Sequence, residues 1–460
     1  MAKAVLFLSK LIIKTKEQKY RGEQMSHGFK GGAHPDEMKH LTSQKPIEKL
    51  PAPELVILPM SMHIGAPCQP LVAVGDHVYL GQKIAEAQAP VSAPVHATIS
   101  GTVKAIAPME HALGTKVMSV VIENDYQDEL DPSIAPIDYS AMTAEEMIAC
   151  IKEAGIVGHG GAAFPTHIKL SSALGKVDTV IINGAECEPF LTSDHRILLE
   201  HPEEVVEGVK IILRILNLKN AVIGIEMNKE NTFEKINSLL PVDGSIKLVP
   251  MAVKYPQGAE KQLIKTITGR EVPSGKLPAD AGCAVFNSDT AASIYRLFTT
   301  GMPMHRRIVT VSGPDMAVPK NLEVRIGTPV KDLIAFCGGF IEPPTKLLMG
   351  GPMMGTSLYS DEVPIIKGTN GILAFAEAEP IHISDPRCIR CGRCVADCPM
   401  QLVPTYIYRA AMAGRMEECA SFNPLDCIEC GVCSFVCPAK VPLTQGIRVA
   451  KQKIIAANRK

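Results

Sequence analysis

The stretch CIRCGRCVADCPM, residues 388–400, limits what this chain can fold into more than any other part of it. Its four cysteines fall at C-x2-C-x2-C-x3-C with a proline after the last, and the pattern returns as CIECGVCSFVCPA at residues 427–439. Cubane iron–sulfur clusters need four thiolates. Two x2 spacings let three sulfurs point inward from one tight loop, while the fourth cysteine of each run serves the other cluster. The expected ligand sets are Cys388, Cys391, Cys394 and Cys437 for one [4Fe–4S] centre, and Cys427, Cys430, Cys433 and Cys398 for the second. Pro399 and Pro438 steer the chain away after each run, and Gly392 and Gly431 let backbone approach sulfide closely. Paired zinc sites would leave the two matched runs with their terminal prolines unexplained. A disulfide framework is disfavoured, because no secretory signal is found and Cys68, Cys150, Cys187, Cys283, Cys337 and Cys419 are scattered singly.

At 460 residues the chain is too long for one small core, and its length suggests about three domains. A net charge of −1 advertises no nucleic acid, and the absence of tryptophan disfavours single-strand stacking platforms. No apolar run approaches the roughly 18 residues needed to span a bilayer, so the chain is expected to be soluble or held at a membrane by partners. Near the start, AVLFLSKLII (residues 4–13) is interrupted by Lys10 and followed by Lys14, Lys16, Lys19 and Arg21, with no small-residue cleavage site. Residues 1–25 are read as an unpacked tail, or as the product of a start codon upstream of Met25, in preference to an amphipathic surface anchor.

The texture of the rest changes along the chain. Residues 26–135 are β-rich, with short strands separated by Val-Gly-Asp, Leu-Gly-Gln and Ser-Gly turns. They resemble the biotinyl/lipoyl-type barrel-sandwich hybrid, except that the hairpin APVHAT offers His96 where a carrier lysine would stand. A structural or docking role is expected there. Residues 136–305 alternate helix and strand. Thr143-Ala-Glu-Glu146 is a capping box, VDTVIING, NAVIGIE and KLVPMAV are buried strands, and HPEEVVEGVKIILRIL, NTFEKINSLL and GAEKQLIKTIT are helices. Repeated β–α units predict a Rossmann-like parallel sheet with helices on both faces and a ligand beyond the carboxyl ends of its strands. Residues 306–375 return to short strands, as a small β-grasp-like module, and residues 376–460 carry the cysteine runs on short helices. The fold class expected is multidomain α/β.

Four pieces of the central region stand out. The loop GIVGHGGAAFPTHIKL (residues 155–170) has Gly158, Gly160 and Gly161, whose bare amides can cradle a phosphate or lie against a planar ring; Phe164 can stack and Lys169 can reach an anion. It is neither a Rossmann fingerprint nor a P-loop, and a plain glycine-rich connection would read similarly. In NGAECEPFLTSDHR, Asn183 precedes Glu186 and Glu188, which would point the same way in an extended segment and suit nucleotide hydroxyls; a solvated acidic turn is the alternative. YPQGAEKQL places Tyr255, Gly258 and Glu260 between a strand and a helix, and AVFNSDTA adds Asn287 and Asp289.

Together the four pieces resemble the flavin- and NADH-binding subunit of respiratory complex I. That family carries G-R-G-G-A-G-F-P-T…K, N-A-D-E-x-E-P, Y-x-x-G-E-E-T and V-N-N-V-E-T at the matching places. Gly158, Gly160, Gly161, Phe164, Lys169, Asn183, Glu186, Glu188, Tyr255, Gly258, Glu260 and Asn287 are retained, while His159, Ala185 and Ala259 depart from the pattern. The resemblance implies FMN on the glycine loop, NAD(H) as substrate, and carboxylates orienting nucleotide hydroxyls or the carboxamide, with Lys169 toward phosphate. The order of modules, including GFKGGAHPDEMKHLTSQKPIE near the start, resembles the RnfC family of the Rnf electron transport complex from about residue 26 onward. That likeness implies a peripheral subunit on the cytoplasmic side of an ion-translocating membrane assembly. There it would exchange electrons between NAD(H) and the other subunits, with ferredoxin reached indirectly.

The combination is chemically coherent. Nicotinamide exchanges a hydride, two electrons at once, whereas a cubane cluster passes one at a time, and a flavin converts between the two. No general acid or nucleophile of the chain's own is expected. Two other readings share these motifs: a cobalamin reductase of the bacterial microcompartment type, and an electron-wire or scaffold subunit whose flavin domain no longer binds.

Overall fold

The computed structural model describes residues 27–376 and 387–458; the tail expected at 1–25 lies outside them. The central region forms a wholly parallel four-stranded sheet from Thr179–Gly184, Ala221–Glu226, Ile246–Met251 and Cys283–Asn287. Across the sheet the order is 246–251, 221–226, 179–184, 283–287. Val180, Ile181, Ile182, Ile223, Ile225, Val285 and Phe286 are all buried, the near-continuous apolar composition of strands covered on both faces. Strand order reverses between 179–184 and 283–287, which opens a crevice at their carboxyl ends.

The helices begin and end where local chemistry dictates. Thr143 accepts a hydrogen bond from the Glu146 amide and the Glu146 carboxylate answers to the Thr143 amide, starting the helix Ala144–Glu153. Helix Pro202–Leu216 has proline and two glutamates in its first turn, and buries Val205, Val209, Ile212 and Leu216 along one face. It crosses the helix Ser288–Thr300 so closely that a Cβ on Gly208 would stand 1.9 Å from the Ala291 carbonyl oxygen. Only glycine permits that crossing. Helix Glu260–Thr268 stops at Gly269, which takes a φ of 73°.

Two small sheets form the sandwich. One has the strands Leu55–Pro59, Lys116–Asn124, Gly101–Glu110 and His77–Val78, the other Cys68–Pro70, Lys83–Ala87 and Val95–His96. His96 sits on the last of these strands, buried, and is not presented at an open hairpin tip. Burial and the nearby Lys367 keep its ring uncharged. The Lys367 ammonium donates at 2.6 Å to the carbonyls of both Pro94 and Gly155, joining this hairpin to the root of the glycine loop.

The following module is a six-stranded mixed sheet, including Arg306–Ser312, Lys320–Arg325, Lys346–Met349 and Gly371–Phe375, with the helix Val330–Phe336. One of its edges is unexpected: Ile47–Lys49, from the region read as sandwich, lies parallel to Lys320–Arg325. The residues before it range further still. Ala33 and Tyr255 exchange backbone hydrogen bonds, the Gly32 amide donates to the Asp397 carbonyl, and the Lys39 ammonium reaches the Glu188 and Leu191 carbonyls. Residues 27–50 thus run as a strap over three modules.

The C-terminal region is helical, with Arg393–Ala396, Pro404–Met412, Met416–Ser421, Val432–Phe435 and Leu443–Asn458. Ile407, Ala410, Leu443, Ile447, Ala450 and Ile454 make its core.

Candidate functional site

The glycine loop sits over the crevice. The Gly158 amide donates to the Phe164 carbonyl and Val157 bridges Pro165, which pinches the loop at its base before helix Thr166–Ala173. Gly160 and Gly161 are exposed at its crest. A Cβ on Gly161 would meet nothing within 4 Å, and one on Gly160 only the Asn287 Cβ at 4.0 Å. The loop therefore offers a backbone surface with open space in front of it, which is the shape a flat ring system or phosphate requires. The residues present fit a flavin. Phe164 is half-buried beside this surface.

The crevice brings several of the expected residues to one place. Lys169 donates to Glu260 at 2.7 Å and to the Val285 carbonyl at 2.9 Å, with both charged side chains about a third exposed. Asn183 donates to the Gly258 carbonyl, tying two strand ends together. Asn287 caps helix Ser288–Thr300 through its oxygen, and its amide donates to Asp194 at 2.6 Å.

Three acidic or phenolic positions lie differently from the expectation. Glu186 has a φ of 41°, so the segment is not extended and the two carboxylates diverge. Glu186 accepts from Ser193 and from the Asp194 and His195 amides, capping the helix Ser193–Glu200. Glu188 turns the other way and accepts from the Met353 amide at 3.1 Å, with the Tyr255 hydroxyl oxygen 3.4 Å from its carboxyl. Gly351 packs so tightly on it that a Cβ there would be 2.2 Å from the Glu188 carboxylate. Burial pushes Glu188 up to about 7, against the pull of the Met353 and Met354 amides. Tyr255 is buried and donates to the Cys430 carbonyl at 2.8 Å. All three residues are engaged in protein contacts.

Beneath the loop lies a charged network that the motifs alone did not reveal. Asp289 accepts from His159 at 2.8 Å, from Arg307 at 2.6 Å and from Arg296 at 3.2 Å, and Arg307 also donates to the His159 carbonyl. Burial opposes the charge on Asp289, but His159, Arg307 and Arg296 hold its carboxyl well below the ordinary range. Burial and Arg307 push His159 down to about 4, so its ring is neutral at pH 7 and donates Nδ1–H to Asp289. The two arginines then carry the compensating charge. Arg307 lies on a strand of the following module, which explains why nothing local in sequence marked it.

The eight cysteines of the two runs carry free thiols. Burial raises Cys430 to about 12, with Cys427, Cys433 and Cys398 adding repulsion; burial raises Cys394 too, with Cys437, Cys388 and Cys391 as its neighbours. Cys433 also lies within reach of Cys394, so the two groups of thiols adjoin. Cys398, Cys427, Cys430 and Cys433 line one cavity, walled by Leu402 and Ile447. Among the described residues no three ligand-type side chains converge on a single ion. A cubane does not ask them to, since each thiolate binds its own iron. The donor set fits two clusters. Gly431, with a φ of 80°, is needed for a reason beyond sulfide: a Cβ there would lie 2.7 Å from the Met353 carbonyl oxygen. Tyr255, Ala33, Cys430 and Val432 form a small apolar group where the second cysteine run meets the parallel-sheet domain.

Known families match this layout module by module. Their models fit the RnfC barrel sandwich hybrid domain at residues 27–127, the Nuo51 FMN-binding domain at 151–296, the SLBB domain at 308–357 and a 4Fe-4S dicluster domain at 387–441. The RnfC-type component of the Na(+)-translocating ferredoxin:NAD(+) oxidoreductase complex of Acetobacterium woodii is 47% identical over 95% of this chain and 99% of its own length. Its counterpart in the proton-translocating complex of Clostridium ljungdahlii is 46% identical over 94% of this chain and 95% of its own. The counterpart in the ion-translocating oxidoreductase complex of Rhodobacter capsulatus is 45% identical over 93% and 83%. Among solved structures, NAD+-reducing [NiFe]-hydrogenase in its air-oxidized state aligns with a TM-score of 0.47 and 17% identity, over 70% of this chain and 63% of that one. With relatives this similar along almost its whole length, and with a module for each part of the site, the chain belongs to the RnfC family of the Rnf-type ion-translocating oxidoreductase complexes.

Proposed function

We propose that this chain exchanges electrons between NAD(H) and the other subunits of an Rnf-type ferredoxin:NAD oxidoreductase complex, through FMN and two [4Fe–4S] clusters. The observation that carries the proposal is the Tyr255 hydroxyl on the Cys430 carbonyl, which joins the crevice-bearing domain directly to the second cysteine run. FMN, when bound, supplies the conversion between a hydride and single electrons.

The chain's own work is placement. Gly160 and Gly161 would present bare backbone to the cofactor, Gly158 holds the loop closed at its base through the Phe164 carbonyl, and Phe164 would stand beside the ring. Lys169 and Glu260, already paired at the mouth, are suited to exchange that contact for phosphate and hydroxyl of an incoming nucleotide. Asn183, Gly258 and Asn287 shape the floor of the crevice. Glu186, Glu188 and Tyr255 serve indirectly, by fixing the helix behind the crevice and the wall toward Cys430. The ligand sets are Cys427, Cys430, Cys433 and Cys398 nearest the sheet domain, and Cys388, Cys391, Cys394 and Cys437 beyond them. The working units are 26–135, 136–305, 306–375 and 376–460, with the strap 27–50 binding across them.

We place the chain at the cytoplasmic face of the membrane. The six cysteines outside the two runs form no disulfide, as suits a reducing compartment. The decisive experiment is an inventory of anaerobically purified protein for flavin, iron and acid-labile sulfide, joined to NADH-dependent reduction of ferricyanide. One flavin and eight irons with NADH activity are expected, on the arithmetic of two cubanes. Clusters without flavin would leave a scaffold or wire subunit in place of this reading.

A further inference from the structure

The two cysteine runs differ in what covers them. Cys430 and Cys433 are buried, and their ligand set is sealed by Tyr255, the Met353 turn and Gly32, whose amide holds the Asp397 carbonyl beside Cys398. Cys388 and Cys391 are exposed. Around them stand Arg387, Arg390 and Arg393, each exposed, within a seven-residue span. In this module Arg415 pairs with Glu418, and Arg448 and Lys451 pair with Glu429, whereas Arg390 and Arg393 form no ion pair among the described residues. Apolar side chains complete the face. Ile389 is 65% exposed, and Phe435, two residues before Cys437 of the same ligand set, is 47% exposed.

A cluster edge left open to solvent, ringed by arginine and bare apolar side chains, is the composition of a protein interface more than of an idle surface. Charge sets the sign of what it meets: the exposed Arg390 and Arg393 guanidinium groups repel a basic surface and attract an acidic one. The exposed isoleucine and phenylalanine favour an occupant that stays, because apolar side chains gain from lasting removal from water. The geometry points to a neighbouring redox subunit of the same assembly whose acidic face docks on Arg390, Arg393, Ile389 and Phe435. It would bring a one-electron centre of its own, flavin or iron–sulfur, against the first cluster. One electron leaves the reduced cluster and reduces that centre; no bond forms or breaks and no proton need move. The inference rests on the electron-transfer reading above and assigns the point of exit.

The test is the double variant Arg390→Glu/Arg393→Glu in the intact complex. Flavin, iron and NADH reduction of the flavin should match wild type. Salt should release the variant chain from the membrane fraction at lower concentration than wild type. Reoxidation of the first cluster by the remaining subunits should slow at least about tenfold at low ionic strength, with the gap closing as salt is raised. Wild-type retention together with wild-type reoxidation would overturn the proposal. So would retention unchanged while a soluble acidic carrier alone loses its exchange with the variant, since the occupant would then be a diffusing protein. If charge reversal costs the first cluster itself, Arg390→Gln/Arg393→Gln repeats the two measurements with the cluster signal in place. The retention assay needs neither flavin nor NADH, so a flavin-free chain would remove the functional reading and still leave the docking face to be judged.

Discussion

The Tyr255 hydroxyl donates a 2.8 Å hydrogen bond to the carbonyl of Cys430, so a side chain at the edge of the parallel sheet holds the backbone of the second cysteine loop. Tyr255→Phe keeps the ring and removes the donor. The buried carbonyl left behind costs about 1–3 kcal/mol, which loosens the seating of the cluster module. The spectrum and potential of the second cluster should shift while those of the first stay put, and NADH should still bleach the flavin. Potentiometry followed by electron paramagnetic resonance reads this; potentials unchanged from wild type at both clusters would remove the bridge from the mechanism.

Glu188 offers a pH signature. Its carboxyl is raised by burial to about 7 in the folded chain, well above its unfolded value. The folded state therefore holds a proton that the unfolded state has released, and stability present below about pH 4.5 is lost as pH rises through 7. Glu188→Gln, neutral throughout, should flatten that part of the unfolding-midpoint profile. A variant profile that falls as steeply as wild type would assign the dependence elsewhere.

The cross-ligation of the clusters can be read by loss of iron. Cys398→Ser and Cys430→Ser should remove the same cluster signal, and Cys437→Ser and Cys391→Ser the other. If Cys398→Ser instead removed the signal that Cys391→Ser does, each run would hold its own cluster.

Gly161 tests the cradle. It has a φ of 95° and open space where a side chain would go. Gly161→Val adds backbone strain of about 1–2 kcal/mol and places a branched side chain in front of the loop. Flavin should be lost on desalting with iron content unchanged.

Much of this could be read from residues alone, where the signal is local. The capping box at Thr143, the proline-led stripe from Pro202 and the stop at Gly269 mark their helices within a few residues. The spacing of Leu443, Ile447, Ala450 and Ile454 marks the last helix in the same way, and periodicity would have found it. Glu186 and Glu188 show the limit. Alternation presumes an extended chain, and the left-handed turn at Glu186 answers to a helix that begins seven residues later. The partner that occupies Glu188, the Met353 amide, is 165 residues away. Arg307 likewise acts on Asp289 from another module, and no motif within either segment records the pairing.

Asp289 carries a further prediction. Asp289→Asn leaves Arg307 without its buried counter-charge, while Arg296 keeps Glu204; the loss should cost about 3–5 kcal/mol and loosen the glycine loop above it. Thermal unfolding should show the loss at every pH where Asp289 is ionised, and flavin retention should fall with it.

The strap at 27–50 has a consequence for how the molecule comes to be made. Gly31 and Gly32 lean on carbonyls at and beside Cys398, so a segment early in the sequence finds part of its seat on a cysteine loop made long after it. Until the cysteine loops have taken shape, the strap lacks one of its three seats. Maturation of the metal centres and completion of the fold are in that sense a single event.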